Sequence, residues 1–374
     1  LSTASDVYRM RSMTRGKCGR LITGGLVFAL VVGWSQAGGG GQLQALKDPR
    51  ERHLANVRQL TFGGQNAEAY WSNDGKRLIY QMRGGDLKAD QIFIMNADGS
   101  GKHMVSTGRG RCTCAYFLPG DREIIFSSTH AYSADPLPEP DRSQGYVWPI
   151  YPYYAIYRAR DDGTHLRPLV PKRVGLGIAT GYNAEATVSP DGKKIIFTST
   201  RDGDLDLYTM DLNGGHIRRI THRLGYDGGA YFSPDSRFIV WRAYYPQTLE
   251  EREDYVRLLK QHLVRPTKME IWVAKADGSD ARQVTHNGAA NFAPYFTPDG
   301  EHIIFSSNMD DPQRRKFELY LIRVDGSGLE RVTYGGQFDA FPMFSPDGRR
   351  LVWASNRNGK APHETNIFVA DWVP

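Results

Sequence analysis

Six copies of one strand–turn–strand unit, a second such set interleaved with them, and a basic spacing of about 45 residues predict an all-β chain. The expected fold is a six-bladed β-propeller of four-stranded antiparallel blades. The first set reads YWSNDGKRLIY, YFLPGDREIIF, TVSPDGKKIIF, YFSPDSRFIVW, YFTPDGEHIIF and MFSPDGRRLVW. Each is an apolar strand, a turn rich in Pro, Asp and Gly, and a second apolar strand. The second set is IFIMNADGSGKHMV, IYRARDDGTHLRPL, LYTMDLNGGHIRRI, IWVAKADGSDARQV and LYLIRVDGSGLERV. Its D-G and N-G turns need positive φ, which glycine supplies without steric cost. Each blade therefore has four strands, A to D, from the inside outwards.

The residue before the first turn falls at Ser72, Leu118, Ser189, Ser233, Thr297 and Ser345, with spacings of 46, 71, 44, 64 and 48. The two long spacings are insertions. The sixth copy ends at NIFVADWVP, with a strand C and no strand D. NVRQLTFGG, residues 56–64, matches the internal D strands, so the N-terminal strand is expected to complete the last blade. That removes two exposed sheet edges, which otherwise invite aggregation. The propeller then occupies residues 55–374.

Residues 1–37 read as a signal peptide and residues 38–54 as a linker. Arg9, Arg11, Arg15, Lys17 and Arg20 precede LITGGLVFALVVGW, and small residues follow at Ser35 and Ala37. A basic stretch, a short apolar core and a small-x-small site is the secretory pattern. The apolar run is 14 residues, short of the roughly 20 a spanning helix needs. This leader carries about four of the six net positive charges, so the basic balance does not indicate nucleic acid. The expected location is periplasmic or secreted, with no transmembrane helix in the mature chain.

Strand order puts the A–B and C–D turns on one face and the B–C and D–A loops on the other. Both insertions are B–C loops, at about residues 129–154 and 243–268, so the loop face is the expected working face. In the first, Tyr146, Trp148, Tyr151, Tyr153 and Tyr154 are candidate contact residues, because such rings combine apolar area with a polar handle. Packing of these rings against their own blade is the competing reading. In the second, Thr248 and Glu251 form a capping box before an amphipathic helix that places Tyr255, Leu258, Leu259 and Leu263 on one face and ends at Pro266.

Aligning the A strands puts Asn66, Cys112, Asn183, Asp227, Asn291 and Asp339 at one position. Two residues on stand Glu68, Cys114, Glu185, Gly229, Ala293 and Phe341. These positions should ring the mouth of the central channel. One reading makes the Asn and Asp side chains local ties for the D–A loop. The other makes a site of Asn66, Glu68, Asn183, Glu185, Asp227, Asn291 and Asp339, whose oxygens suit Ca²⁺. Cys112 and Cys114 should lie on one side of a strand, about 6.6 Å apart at a rise of about 3.3 Å per residue. Two buried thiols, a strained bridge and a soft-metal pair are the readings this spacing allows.

The stretch SPDGKKIIFTSTRDGDLDLYTMDLNGG, residues 189–215, resembles the WD40-like PD40 repeat of TolB-type propellers. The resemblance runs through all six blades. TolB itself carries an α/β domain before its propeller, and no counterpart is expected here, so the chain resembles a TolB-like propeller rather than TolB. The resemblance implies a bacterial, exported protein that binds other proteins. No G-x-S-x-G elbow or complete H-E-x-x-H motif occurs. The expected function is a non-catalytic scaffold that binds a protein or cell-envelope polymer through the loop face. The alternative is an enzyme or a sugar- or lactone-binding protein with a divalent metal at the channel mouth. Lactonase-type propellers, similar in residue type only, hold calcium with such residues.

Overall fold

Short strands with alternating faces bury little alone, so they stack as blades around an axis. The computed structural model describes residues 46–143, 145–169, 181–336 and 338–374. The segment read as a signal peptide lies outside the described residues. Blade 1 is β2 (Gln65–Trp71), β3 (Arg77–Arg83), β4 (Gln91–Asn96) and β5 (His103–Met104). Blade 2 is β6 (Cys112–Phe117), β7 (Glu123–Ser128), β9 (Ala155–Arg160) and β10 (Arg167–Pro168). Blade 3 runs from β11 (Asn183–Val188) to β14 (Arg218–Arg219). Blade 4 is β15 (Tyr226–Phe232), β16 (Phe238–Tyr244), β18 (Glu270–Lys275) and β19 (Arg282–Gln283). Blade 5 runs from β20 (Asn291–Phe296) to β23 (Glu330–Arg331).

Blade 6 is β24 (Asp339–Phe344), β25 (Arg350–Ser355), β26 (Asn366–Trp372) and, as its outer strand, β1 (Leu54–Gln59). The N-terminal strand thus closes the ring, pairing Leu54 with Trp372 and Gln59 with Phe368. Residues 46–53, expected as linker, pack on this blade. Glu51 is fully buried and holds Arg357 through two bonds of 2.9 and 3.1 Å. The same guanidinium reaches Asp339 at 3.0 Å.

Neighbouring blades are linked by one repeated backbone hydrogen bond. The N–H of Asn66, Cys112, Asn183, Asp227, Asn291 and Asp339 donates to a carbonyl at or just before strand C of the preceding blade, at 2.9–3.2 Å. On the opposite face, Ser or Thr hydroxyls in five A–B turns bond the turn Asp at 2.5–2.7 Å. Blade 2 has Leu118 at that position and cannot make this bond. Its Asp121 instead crosses to blade 1, accepting from the N–H groups of Asn73 and Asp74 at 2.8 and 2.9 Å.

The two insertions meet. β8 (Trp148–Pro149), from blade 2, pairs antiparallel with β17 (Leu263–Val264), from blade 4. The helix α1 (Leu249–Lys260) has the expected capping box and buries Tyr255 and Leu258. It is shorter than expected: His262 takes a positive φ and the chain leaves as β17, so Leu263 belongs to a strand and not to the helical stripe. The Tyr255 hydroxyl donates to Asp204 and to the Gly225 carbonyl, both at 2.6 Å, and fixes the helix to the rim.

Removing the cation from the closing network leaves two buried carboxylates unpaired. Arg357→Ala should destabilise the protein by about 3–5 kcal/mol. Urea denaturation followed by circular dichroism measures this, and an unchanged midpoint would refute the role given to Glu51.

Candidate functional site

The channel is built from the A strands, and each carries the same irregularity. The register slips in all six, between Ala67 and Tyr70 in blade 1 and at the matching places elsewhere. At each slip one residue is left-handed: Glu68, Cys114, Glu185, Gly229, Ala293 and Phe341, with φ between 46° and 61°. Five of them are not glycine, and such a backbone costs on the order of 1 kcal/mol or more each. Its presence in every blade makes it part of the architecture. The bulge also breaks the simple alternation of faces.

Consequently the two aligned rings of residues part company. The first ring points into the blades. Asn66 donates to the carbonyls of Gly63 and Thr365, both at 2.9 Å. Asn183 donates to Gly181 and Asn291 to Met269. Asp227 accepts from Trp241 at 2.6 Å and Tyr245 at 2.5 Å, and Asp339 accepts from Trp353 at 3.0 Å. These are ties between loops, strands and blades. These side chains turn to separate partners in their own blades and do not converge, so the ring does not fit Ca²⁺, which takes six to eight convergent oxygens. Burial pushes the Asp227 carboxyl up to about 7, against hydrogen bonds that favour its charge.

Cys112 and Cys114 also part. Cys112 donates to Ser128 inside blade 2 at 3.3 Å, and Cys114 donates to Glu68 across the channel at 3.0 Å. Both are buried free thiols. Burial raises both, Cys112 up to about 12, so neither is poised as a thiolate.

The second ring faces the axis. Glu68, Cys114, Glu185, Gly229, Ala293 and Phe341 line one small cavity, about 20 Å³, together with Arg242. Arg242 comes from strand B of blade 4. A Cβ at Gly229 would collide with the Arg242 guanidinium, and one at Gly228 would collide with the Tyr226 hydroxyl and the Glu185 carboxylate that receive it. The guanidinium donates to Glu185 at 2.9 Å and to the Tyr226 hydroxyl at 2.8 Å. Glu68 has no such cation. One of its oxygens is buried without a partner, and burial pushes its carboxyl up to about 7 despite the Cys114 hydrogen bond.

Towards the turn face, tyrosines fill the axis. Tyr70 and Tyr231, from opposite blades, have ring centroids 6.0 Å apart. Tyr116 and Tyr295, also opposite, pack beside them: Tyr116 lies 5.7 Å from Tyr70 and Tyr295 lies 5.2 Å from Tyr231. Thr187 and Met343 occupy the remaining two places. Sequence reasoning missed this plug, although its signal was the first letter of the six quoted repeats: Y, Y, T, Y, Y, M. Below the plug the turn face holds an apolar bowl of about 370 Å³, walled by Pro190, Pro234, Pro298 and Pro346.

On the loop face the paired insertions roof the channel. Trp148 packs 5.0 Å from Phe292 of blade 5 and lies 5.6 Å from the Arg242 guanidinium. Trp148 and Tyr154 are buried, which corrects their reading as contact residues. Tyr146, Tyr151 and Tyr153 remain half-buried at the surface. Tyr153 stacks on the exposed Tyr132 at 3.5 Å.

The family description "TolB beta propeller domain", PD40, matches residues 264–369. It is a TolB-like PD40 β-propeller. The solved structure of TolB from Acinetobacter baumannii is 18% identical, with a TM-score of 0.54, over 80% of this chain and 64% of that one. At this identity the likeness concerns the fold alone. An uncharacterized protein of Agrobacterium fabrum is 29% identical over 119 residues, 32% of this chain and 34% of its own length. Dipeptidyl-peptidase 5 of Porphyromonas endodontalis is 24% identical over 213 residues, 49% of this chain and 30% of its own. The matched parts thus span about a third of these curated relatives. Among the described residues, no helix of the TolB-like propeller is long and apolar enough to cross a membrane.

Two outcomes follow from the channel geometry. The folded value of Glu68 lies above its ordinary 4.5, so its ionisation opposes folding. Stability should fall as pH rises from about 4.5 to 7, with the penalty complete above 7. Glu68→Gln should therefore gain on the order of 3 kcal/mol over the native protein between pH 4.5 and 8. Urea midpoints of the two proteins at each pH measure the difference, and parallel pH curves would contradict it. Trp148→Ala should cost about 3–5 kcal/mol and unroof the channel. With Cys18 and Cys112 replaced by serine, Cys114 is the single thiol, and its reaction with Ellman's reagent should accelerate when Trp148 is truncated.

Proposed function

We propose that this chain is an exported, non-catalytic scaffold that binds a protein or cell-envelope component through its loop face. The observation that carries the reading is the closed channel. A ligand pocket usually encloses about 300–1,000 Å³. Here the axis holds a cavity of about 20 Å³, narrowed by Tyr70 and Tyr231 on one side, with Trp148 over Arg242 on the other. The axial cavity is thereby too small for a ligand, and recognition is left to the two faces of the propeller. The loop face offers Tyr132 stacked on Tyr153, with Tyr146 and Tyr151 beside them on a frame fixed by β8 and β17. Rigid aromatic surface of this kind favours protein contacts. The basic–apolar–small order of residues 9–37 supports export.

A second reading has one observation in its favour. Glu68 offers a buried, unpartnered oxygen to the channel, so lifting the roof would expose a polar floor of Glu68, Glu185 and Arg242 to a small ligand.

Photo-crosslinking in cells separates the two. A crosslinking residue at Tyr153 or Tyr146 should trap an envelope partner, and one at Lys76 or Lys193 on the turn face should not. Trapping from the turn face alone, or turnover of sugar lactones by the purified protein, would overturn the scaffold reading.

A further inference from the structure

The A–B turns of the six blades are near copies, and one departs from the rest in charge. The residue following the Gly position is Lys76, Arg122, Lys193, Arg237 and Arg349 in five blades, and Glu301 in blade 5. In three of the five the base sits beside its turn aspartate: Lys76 with Asp74 at 3.8 Å, Lys193 with Asp191 at 3.3 Å and Arg237 with Asp235 at 3.9 Å. Blade 5 loses that cation and gains a second carboxylate. The next residue, His302, is the single histidine at its position among the six blades.

The side chains converge. One ligand atom from each of Asp299, Glu301 and His302 lies within 4.8 Å of the other two. The turn is fixed beforehand: the Asp299 Oδ1 accepts from the Thr297 hydroxyl at 2.6 Å and from the Glu301 N–H at 2.9 Å. Its Oδ2 stays available. Among the described residues, no hydrogen bond or ion pair engages the Glu301 carboxylate or the His302 imidazole. Asp299 also lines the edge of a groove of about 370 Å³ between blades 4 and 5.

Two carboxylates and an imidazole so placed, with no base in the turn, offer a cation three ligand atoms. Carboxylate oxygens with one imidazole nitrogen suit a first-row divalent ion, whereas Ca²⁺ and Mg²⁺ take oxygen alone. We propose that the first turn of blade 5 is a surface site for such an ion, best matched by Zn²⁺, held by Asp299, Glu301 and His302 with water completing the tetrahedron. It lies on the face opposite the loop surface and is independent of the scaffold reading.

Isothermal titration of the untagged full chain with Zn²⁺ tests this. One site is expected. His302→Ala should weaken it by about tenfold or more. Glu301→Lys, which restores the sibling turns' charge pattern, should abolish it. Both changes are on the surface, and circular dichroism should remain native. Absence of Zn²⁺ binding to the native chain, or binding of equal affinity and stoichiometry in both variants, would overturn the proposal.

Discussion

In each of the six innermost strands, one residue adopts a left-handed backbone two positions after an inter-blade hydrogen bond. The bond sets the spacing of the blades. The left-handed residue then turns the strand, so that the first aligned side chain enters the blade and the second enters the channel. Everything at the axis depends on this. Without the bulge, Asn66 and Glu68 would share a face, as would Cys112 and Cys114. With it, the thiols and the polar ring serve different neighbours.

What fills the channel follows from that constraint. Six side chains arrive at one level, and a six-fold ring of equal residues would leave either a hole or a clash. The chain solves this unequally. Gly229 admits Arg242 from the next strand outwards, Gly228 makes room for Tyr226 and Glu185, and Glu185 matches the arginine's charge. One level away, four tyrosines from two pairs of opposite blades pack ring against ring at the axis. Glu68 is the carboxylate left without a cation, and burial pushes it up to about 7.

The roof ties this core to the surface. β8 and β17 come from insertions in blades 2 and 4, and Trp148 rests against blade 5 and Arg242. One apolar side chain thus both covers the channel and anchors the loops around it. The half-buried tyrosines near it gain a rigid base, and rigidity lowers the entropy lost when a surface binds a partner.

Sequence alone determined the blade count, the strand order, the closure by the N-terminal strand and the capping box, because each rests on short-range chemistry: alternating apolar residues, Pro-Asp-Gly turns and a Thr-x-x-Glu pair. It also located the channel-lining residues to within two positions. Which of them face the axis was decided by tertiary structure, since the left-handed position is held by Glu, Cys, Glu, Gly, Ala and Phe, and of these glycine alone signals such a backbone. The partnership of Trp148–Pro149 with Leu263–Val264 was likewise invisible, because two-residue strands carry no period and their pairing depends on blades that must first assemble. Burial of Trp148 and Tyr154 follows from that pairing, so their role could be read only once the far insertion had arrived beside them.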